Sequence, residues 1–302
     1  MTVKVVEVGA RDGLQNEARR LPVTTRVELL TRLADTGLTH LEAGAFVSAR
    51  WVPQMADTDQ VFAALPARPG VTWSALVPNE RGLNAALAAG CQEVAVFAAA
   101  SQAFSQRNIN CSIEESLERF EPVLRQAQAA RLPVRGYVSC ALGCPYSGTV
   151  PPGQVAAVAA ALYQQGCYEI SLGDTVGAGT PASTRQMLSA CVERIPITAL
   201  AGHFHDTYGM AVANVATALE MGVRVFDSAV SGLGGCPYSP GATGNLATED
   251  LVYLLDGFGL DHGIDLEALI DVAAFIDHAL GRDSASRVNR ALRAQRQQGA
   301  GL

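Results

Sequence analysis

Short apolar segments with β-forming residues alternate with longer Ala- and Leu-rich segments from one end of the chain to the other. The short segments are predicted strands, and they lie at 3–9, 40–46, 72–77, 93–99, 133–141, 169–174, 199–206 and 225–231. Helices are predicted at 23–36, 54–65, 80–89, 112–130, 153–165, 181–194, 208–221 and 245–258, with an extra one at 265–280. Eight β-then-α units within about 260 residues favour an α/β fold of the (β/α)8 TIM-barrel type, with an additional C-terminal helical region, over an open sheet.

The length of 302 residues fits one barrel rather than several smaller units. A single catalytic domain is therefore expected over residues 1–286. Residues 287–302 are polar, basic and rich in glycine at the end. This tail is predicted to fray, because chain ends without apolar anchors are poorly ordered.

Charge and cysteine content exclude several classes of protein. The chain has 22 basic and 29 acidic residues, a net charge of −7 and no basic run, which argues against nucleic acid as a partner. No apolar run approaches the roughly 20 residues that span a bilayer, so no membrane association is expected. The start shows no targeting segment, and the seven cysteines form no paired framework. A cytoplasmic protein with free thiols is predicted.

The reactive side chains of such a barrel come from the carboxyl ends of its strands. Five of the eight predicted strands or their following loops carry reactive residues there, and these are Arg11, Asp12, Glu42, Asp174, His203, His205 and Cys236.

His203 and His205 are two residues apart on one predicted strand, so both imidazoles point to the same face, about 6–7 Å apart along the chain. An isolated pair would as readily be one core and one surface histidine. Asp12 strengthens the metal interpretation, because only strand eight separates strands one and seven in a closed barrel. A carboxylate with two imidazoles suits Mg²⁺ or Mn²⁺ and does not exclude Zn²⁺.

The other residues have roles suggested by their chemistry and position. A guanidinium at Arg11, next to a metal ligand, would stabilise an oxyanion. Glu42 and Asp174 are candidates for proton transfer and for orienting a histidine ligand. Cys236 lies in the Gly-rich segment 232–238, which predicts an accessible thiol rather than a core residue.

Long motifs along the chain resemble those of the 3-hydroxy-3-methylglutaryl-CoA lyase family of metal-dependent TIM-barrel enzymes. The resemblance rests on residues 8–17 (VGARDGLQNE), 46–48 (FVS), 51–55 (WVPQM), 108–115 (NINCSIEE), 136–145 (GYVSCALGCP), 171–175 (SLGDT), 203–209 (HFHDTYG), 232–238 (GLGGCPY) and 244–250 (GNLATED). It implies a divalent cation held by Asp12, His203 and His205, with Asn245 as a further ligand or a close neighbour of one. It also implies catalytic roles for Arg11, Glu42, Asp174 and Cys236.

The resemblance implies carbon–carbon cleavage of 3-hydroxy-3-methylglutaryl-CoA, a small-molecule acyl-CoA, to acetyl-CoA and acetoacetate. A base would remove the hydroxyl proton, Arg11 would stabilise the enolate, and Cys236 would return a proton to carbon. The base is left open between Asp174, Glu42 and His203, with Asp174 favoured. The CoA phosphates are expected near basic side chains, for which Arg19, Arg20 and Arg50 are candidates.

Alternatives remain within and outside this chemistry. A sibling aldolase or Claisen-type synthase would share the Arg-Asp and HxH pattern but is not expected to carry the thiol loop. A barrel kept only as a scaffold would be expected to lack a ligand or Cys236. Ala45 departs from the family pattern; if it lines the acyl pocket, the enzyme would accept longer 3-alkyl chains. The sequence leaves a homodimer open.

Overall fold

The chain closes into an eight-stranded parallel barrel in the computed structural model, which describes residues 2–235 and 244–299. The strands are β1 Lys4–Glu7, β2 His40–Ala45, β3 Thr72–Leu76, β4 Glu93–Ala99, β5 Val134–Ser139, β6 Glu169–Asp174, β7 Leu200–Phe204 and β8 Val225–Ser228. Each pairs with its neighbours in sequence, and β8 pairs with β1 to close the barrel. The predicted TIM-barrel fold is confirmed.

Helices surround the barrel and follow the strands in turn. They are α1 Val23–Asp35, α2 Thr58–Ala64, α3 Glu80–Ala88, α4 Gln102–Ile109, α5 Ile113–Ala129, α6 Pro152–Gln164, α7 Pro181–Val192, α8 Ala211–Glu220, α9 Thr248–Gly257, α10 Leu266–Leu280 and α11 Arg287–Gly299. Capping agrees with the sequence at α5, where the Ser112 hydroxyl accepts the Glu115 N–H and the Glu115 side chain accepts the Ser112 N–H. The sequence did not predict the short helix α4, whose mean hydropathy is low and whose apolar stripe is weak.

The segment predicted to fray forms helix α11 instead, through residue 299. The Ser286 hydroxyl accepts the N–H of Asn289 in the first turn and donates to Asp250 on α9. Asn289 is fully buried and donates to Glu249. At the other end, Arg296 pairs with Glu267 and Asp271 on α10. The helix is thus held by polar contacts with α9 and α10, which an apolar pattern does not reveal.

The barrel interior contains charged side chains as well as apolar ones. Arg135 on β5 is buried and bonds to Glu169 on β6 (2.6 Å) and to Asp227 on β8 (2.8 Å). Lys4 at the start of β1 reaches the other oxygen of Glu169 at 2.6 Å. Because these charges have partners of opposite sign, the interior carries them at a tolerable desolvation cost.

Buried carboxylates hold the segment that leaves β8. Ser231 has a left-handed backbone (φ 59°), and its N–H donates to both oxygens of Glu249 at 3.0 Å. The N–H of Val230 donates to Glu7 on β1 at 3.0 Å. Burial raises the pKa of Glu249 to about 8, although the Ser231 N–H opposes the increase. Burial likewise raises the pKa of Glu7 to about 7.

A pH-dependent stability follows from Glu249. Its carboxyl ionises near 4.5 in the unfolded chain and near 8 in the folded protein, so between these values the folded state binds the extra proton. The free energy of unfolding therefore falls as pH rises from about 4.5 to 8, by at most about 1.4 kcal/mol per pH unit from this group. Urea unfolding at pH 5 and at pH 8 measures the free energy of unfolding at each pH. The decrease between the two is expected to be smaller in Glu249→Gln than in wild type. The control is Glu28→Gln, an exposed residue, which should behave as wild type. If the free energy of unfolding of Glu249→Gln fell between pH 5 and pH 8 by as much as that of wild type, the raised pKa of Glu249 would be wrong.

No helix in the described part of the chain is long and apolar enough to cross a membrane.

Candidate active site

The carboxyl ends of the strands surround a cavity of about 760 Å³. Its floor is formed by Arg11, Asp12, Tyr137, His203 and His205. Its side walls include apolar groups, among them Leu76, Phe97, Phe104 and Val138. The cavity therefore combines a charged floor with apolar walls, as small-molecule sites commonly do.

A π-helical turn after β1, Gly9–Gly13, aims Arg11 and Asp12 at the cavity. The Arg11 Nε donates to Glu42 Oε2 and its Nη1 donates to Asp12 Oδ1, each at 2.6 Å. The guanidinium also lies over the Tyr137 ring, 5.2 Å from its centre. Arg11 is only 6% exposed, so three neighbours fix a nearly desolvated positive charge in place.

Asp12, His203 and His205 converge as the sequence predicted. The Nε2 atoms of the two histidines lie 3.3 Å apart, and each is 3.9 Å from Asp12 Oδ2. One ligand atom from each residue lies within 4.8 Å of the other two. This set of one carboxylate oxygen and two imidazole nitrogens fits a single divalent cation.

Burial and neighbouring charges shift the pKa values of the three residues in different directions. Although burial raises the pKa of Asp12, Arg11 and then His203 and His205 lower it to about 2. Burial and the nearby His203 lower the pKa of His205 to about 4. Burial also acts to lower the pKa of His203, but Asp227 and Asp12 raise it above the ordinary value. Asp12 is thus ionised and His205 neutral near pH 7, the forms that bind a cation.

Asn245 lies beside the cluster with its amide nitrogen facing Asp12. Its Nδ2 donates to Asp12 Oδ2 at 2.9 Å and to the Leu233 carbonyl at 3.1 Å. Gly234 packs against this amide; a Cβ at position 234 would lie 2.9 Å from Nδ2. The structure thus brings Asn245 to the site through a hydrogen bond to Asp12.

The two further acids differ in their surroundings. Glu42 is 1% exposed, its Oε2 accepts from Arg11 and from the Tyr137 hydroxyl, and its Oε1 has no hydrogen-bond partner in the described structure. Burial raises the pKa of Glu42 while Arg11 opposes this effect. Glu42, like Asp174, is not among the described residues that border the cavity, but it contacts Arg11 and Tyr137, which do, and one of its oxygens is unused.

Asp174 faces its own loop. It is fully buried, and its two oxygens accept the N–H groups of Ala178 at 3.1 Å and Gly179 at 2.8 Å. Burial raises the pKa of Asp174 to about 6, and these backbone N–H groups oppose the increase. Among the described residues that border the cavity are its neighbours Gly173 and Thr175, but not Asp174. The structure does not bring this carboxylate to the cavity, although the sequence favoured it as the base.

Cys236 lies outside the described residues. Gly235, the last described residue before it, borders the cavity.

Other expectations about the pocket are corrected. Ala45 is 1% exposed and is not among the described residues that border the cavity, where Val47 and Ser48 stand instead. Arg19, Arg20 and Arg50 are likewise not among the described residues that border the cavity. Arg20 pairs with Asp57 and Arg50 lies 5.8 Å from the Trp51 ring centre. Ala45 is the last residue of β2, and residues of the loop that follows it border the cavity instead. Its nearness to them in the sequence suggested a pocket role that the structure does not give it.

Sequence reasoning missed three residues that the structure places at or behind the site. Arg107, on α4, is exposed and borders the cavity mouth together with Asn108 and Asn110. Tyr137 forms part of the floor. Asp227 accepts a hydrogen bond from His203. An acid in the middle of the apolar β8 pattern was the one available signal for Asp227.

The chain is similar to known proteins over nearly its whole length. The sequence profile of the HMGL-like family matches residues 2–276. The hydroxymethylglutaryl-CoA lyase of Pseudomonas mevalonii is 63% identical over 293 residues, covering 97% of each chain. The 3-hydroxy-3-isohexenylglutaryl-CoA/hydroxy-methylglutaryl-CoA lyase of Pseudomonas aeruginosa is 56% identical, covering 97% of this chain and 98% of its own.

Solved structures give the same result. The crystal structure of a hydroxymethylglutaryl-CoA lyase from Pseudomonas aeruginosa superposes with a TM-score of 0.96 at 55% identity, over 97% of this chain and 98% of that one. An HMG-CoA lyase from Acinetobacter baumannii, solved with coenzyme A and 3-methylmalate, has a TM-score of 0.92 at 33% identity, over 96% and 95% of the two chains. Sequence and fold agree with these relatives over nearly the full length, and the chain belongs to the hydroxymethylglutaryl-CoA lyase family.

Proposed function

We propose that this protein cleaves 3-hydroxy-3-methylglutaryl-CoA to acetyl-CoA and acetoacetate. The observation that carries the proposal is the placement of Arg11 beside Asp12, His203 and His205 on the floor of one cavity. This arrangement combines a cation site with a fixed positive charge, which a reaction through an enolate requires. The names of the relatives, at 63% and 56% identity, point to the same reaction.

The cavity suits an acyl-CoA that enters from the side of α4. The short acyl group would lie on the charged floor, and the thioester would extend along the apolar wall toward Arg107. Arg107 is exposed at the mouth, where its guanidinium lies 4.4 Å from the ring centre of Tyr146. We assign it, rather than Arg19, Arg20 or Arg50, as a phosphate contact, because a guanidinium binds phosphate well. The relative solved with coenzyme A supports an acyl-CoA as the ligand.

The cation is proposed to be Mg²⁺ or Mn²⁺, held by Asp12, His203 and His205, with Asn245 hydrogen-bonded to Asp12. When bound, such a cation acidifies a hydroxyl and orients carboxylate oxygens. The protein's part is to present one carboxylate and two imidazoles, and Asn245 keeps the Asp12 oxygen in place.

Arg11 stabilises the enolate that forms when the carbon–carbon bond breaks. The bonding electrons move toward the thioester carbonyl, and negative charge develops on its oxygen. The guanidinium needs no reorganisation at that moment, because Glu42 and Asp12 already hold it. The same two acids keep the pKa of Arg11 above its ordinary value, although burial acts in the opposite direction.

Glu42, rather than Asp174, is the proposed acceptor of the hydroxyl proton. Its Oε1 has no hydrogen-bond partner in the described structure and its Oε2 contacts Arg11 and Tyr137 of the floor, whereas both oxygens of Asp174 accept backbone N–H groups. A pKa raised by burial also makes Glu42 a stronger base. Asp174 is assigned to holding the loop between β6 and α7.

Cys236 is proposed to donate the proton that converts the enolate carbon to the methyl group of acetyl-CoA. Glu42 then releases the proton it accepted and the thiolate is reprotonated, so the cycle consumes no net proton. A thiol in the glycine-rich segment 232–238 suits this role by its chemistry.

Cys236→Ser is expected to lower kcat by about 100-fold or more, because a hydroxyl is a much weaker acid than a thiol. Binding of Mn²⁺ and of a CoA thioester should stay close to that of wild type. The control is Cys144→Ser, which alters another thiol in a loop, hydrogen-bonded to Ser101. Alkylation that abolishes activity while leaving Cys236 unmodified would argue against this donor.

The proposed activity is tested by following acetoacetate release from 3-hydroxy-3-methylglutaryl-CoA with Mg²⁺, and after removal of the cation with a chelator. Release of acetoacetate and acetyl-CoA in equal amounts is the expected result. Condensation of acetyl-CoA with an oxo acid, without cleavage, would favour a sibling synthase instead.

A longer 3-alkyl substituent is a second candidate substrate feature. The observation that favours it is the 3-hydroxy-3-isohexenylglutaryl-CoA lyase named among the relatives. Apolar residues on the cavity wall, among them Leu76 and Phe97, would accommodate such a chain. The same assay with the isohexenyl substrate decides between the two specificities.

Location and assembly are also proposals. A cytoplasmic location is supported by the six cysteines in the described residues, all of which are free thiols. A homodimer is a proposal that analytical ultracentrifugation would test.

A further inference from the structure

Asp227 on β8 lies behind His203, on the side away from the cavity. Its Oδ2 is 3.1 Å from His203 Nδ1 and accepts the Ser171 hydroxyl at 2.7 Å. Its Oδ1 accepts from Arg135 Nη2 at 2.8 Å. Asp227 is 2% exposed, so water does not compete for these contacts.

The charge on Asp227 is fixed by its surroundings. Its Oδ1 is ion-paired with the Arg135 guanidinium at 2.8 Å. Arg135 is itself buried and bonded to Glu169, which in turn bonds to Lys4. This chain of alternating charges through the barrel interior keeps Asp227 a carboxylate, which can only accept hydrogen bonds.

A carboxylate at this point determines which nitrogen of His203 carries the proton. His203 Nδ1 must donate to Asp227, so the proton of the neutral ring is on Nδ1. The lone pair is then on Nε2, which faces Asp12 and His205.

We propose that Asp227 is a positioning residue that holds His203 in the Nδ1-protonated tautomer and so directs the Nε2 lone pair to the cation. Histidine ligands commonly donate their second nitrogen to a carboxylate, and loss of that partner typically costs 10- to 100-fold in metal affinity. The inference rests on the proposed cation site and adds a residue that does not touch the cation.

Asp227→Asn is a sharp test because an amide has one acceptor and one donor end. Arg135 is always a donor, so the amide oxygen turns to Arg135 and the NH2 group turns to His203. His203 Nδ1 must then accept, and its proton moves to Nε2, which can no longer bind a cation. The opposite amide orientation would place two donors face to face, at a cost of about 1–3 kcal/mol.

The expected result for Asp227→Asn is a 10- to 100-fold weaker Mn²⁺ affinity by electron paramagnetic resonance. In protein with ¹⁵N-labelled histidine, NMR of the Mg²⁺-loaded wild type should show His203 protonated at Nδ1, and Asp227→Asn should show protonation at Nε2. A purely structural role would lower the Tm without exchanging these nitrogen signals.

Ser171→Ala is the matched control. It removes the other hydrogen bond to the same Asp227 oxygen but leaves the acceptor for His203, so tautomer and Mn²⁺ affinity should stay near wild type. If Asp227→Asn does not fold, the wild-type spectrum still decides, because His203 protonated at Nε2 would overturn the proposal.

The outcomes separate this inference from the proposed function. A wild type that binds no Mn²⁺ would refute the cation site itself. A wild type that binds Mn²⁺, together with an Asp227→Asn variant that binds it equally tightly, would refute only the positioning role.

Discussion

His205→Ala is expected to leave the barrel folded and to weaken Mn²⁺ binding by at least about 100-fold, more than the loss of a supporting residue costs. The three ligand groups lie within 4.8 Å of one another, and a site with so few protein ligands has no substitute for one of them. His205 is buried at the end of β7 and its removal leaves a cavity, so the Tm is expected to fall by a few degrees only. Electron paramagnetic resonance with Mn²⁺ measures the affinity directly.

The control for this variant is His278→Ala, which removes an exposed histidine on α10. It should change neither Mn²⁺ affinity nor acetoacetate release. Unchanged Mn²⁺ affinity in His205→Ala would show that the cluster of Asp12, His203 and His205 is not the cation site.

Glu42→Gln is expected to lower kcat by about 10²–10⁴-fold, the usual contribution of a general base. The glutamine oxygen can still accept from Arg11, and Asp12 still holds the same guanidinium, so KM should change little. In wild type, kcat/KM falls as the pH decreases through the pKa of Glu42, because the base must be ionised to accept a proton. Glu42→Gln should lose this dependence, which pH profiles of kcat/KM would measure.

Asp174→Asn is the matched comparison, since it neutralises the other buried acid. It should lower the Tm, because an amide cannot accept both N–H groups of Ala178 and Gly179, and it should lower kcat less than Glu42→Gln does. A larger loss of kcat in Asp174→Asn, with the Tm unchanged, would return the role of base to Asp174.

Much of the fold was predictable because the barrel is built from local patterns. Each β-then-α unit carries its own apolar strand and amphipathic helix, and all eight strands form where the sequence predicts them. The exceptions are α4 and α11. Helix α4 has only a weak apolar stripe, and α11 is a mostly polar helix held by contacts such as the one between Asn289 and Glu249.

The sequence by itself also determined which residues stand at the strand ends, and the structure brings together Arg11, Asp12, His203 and His205. Only the tertiary structure decided how the remaining side chains are oriented. Strands of a closed barrel are buried on both faces, so their pattern does not distinguish the interior from the helix side. N–H groups of its own loop hold Asp174 away from the cavity. The Arg135 pairing that fixes Asp227 behind His203 joins residues from different strands. Such contacts exist only once the barrel has closed.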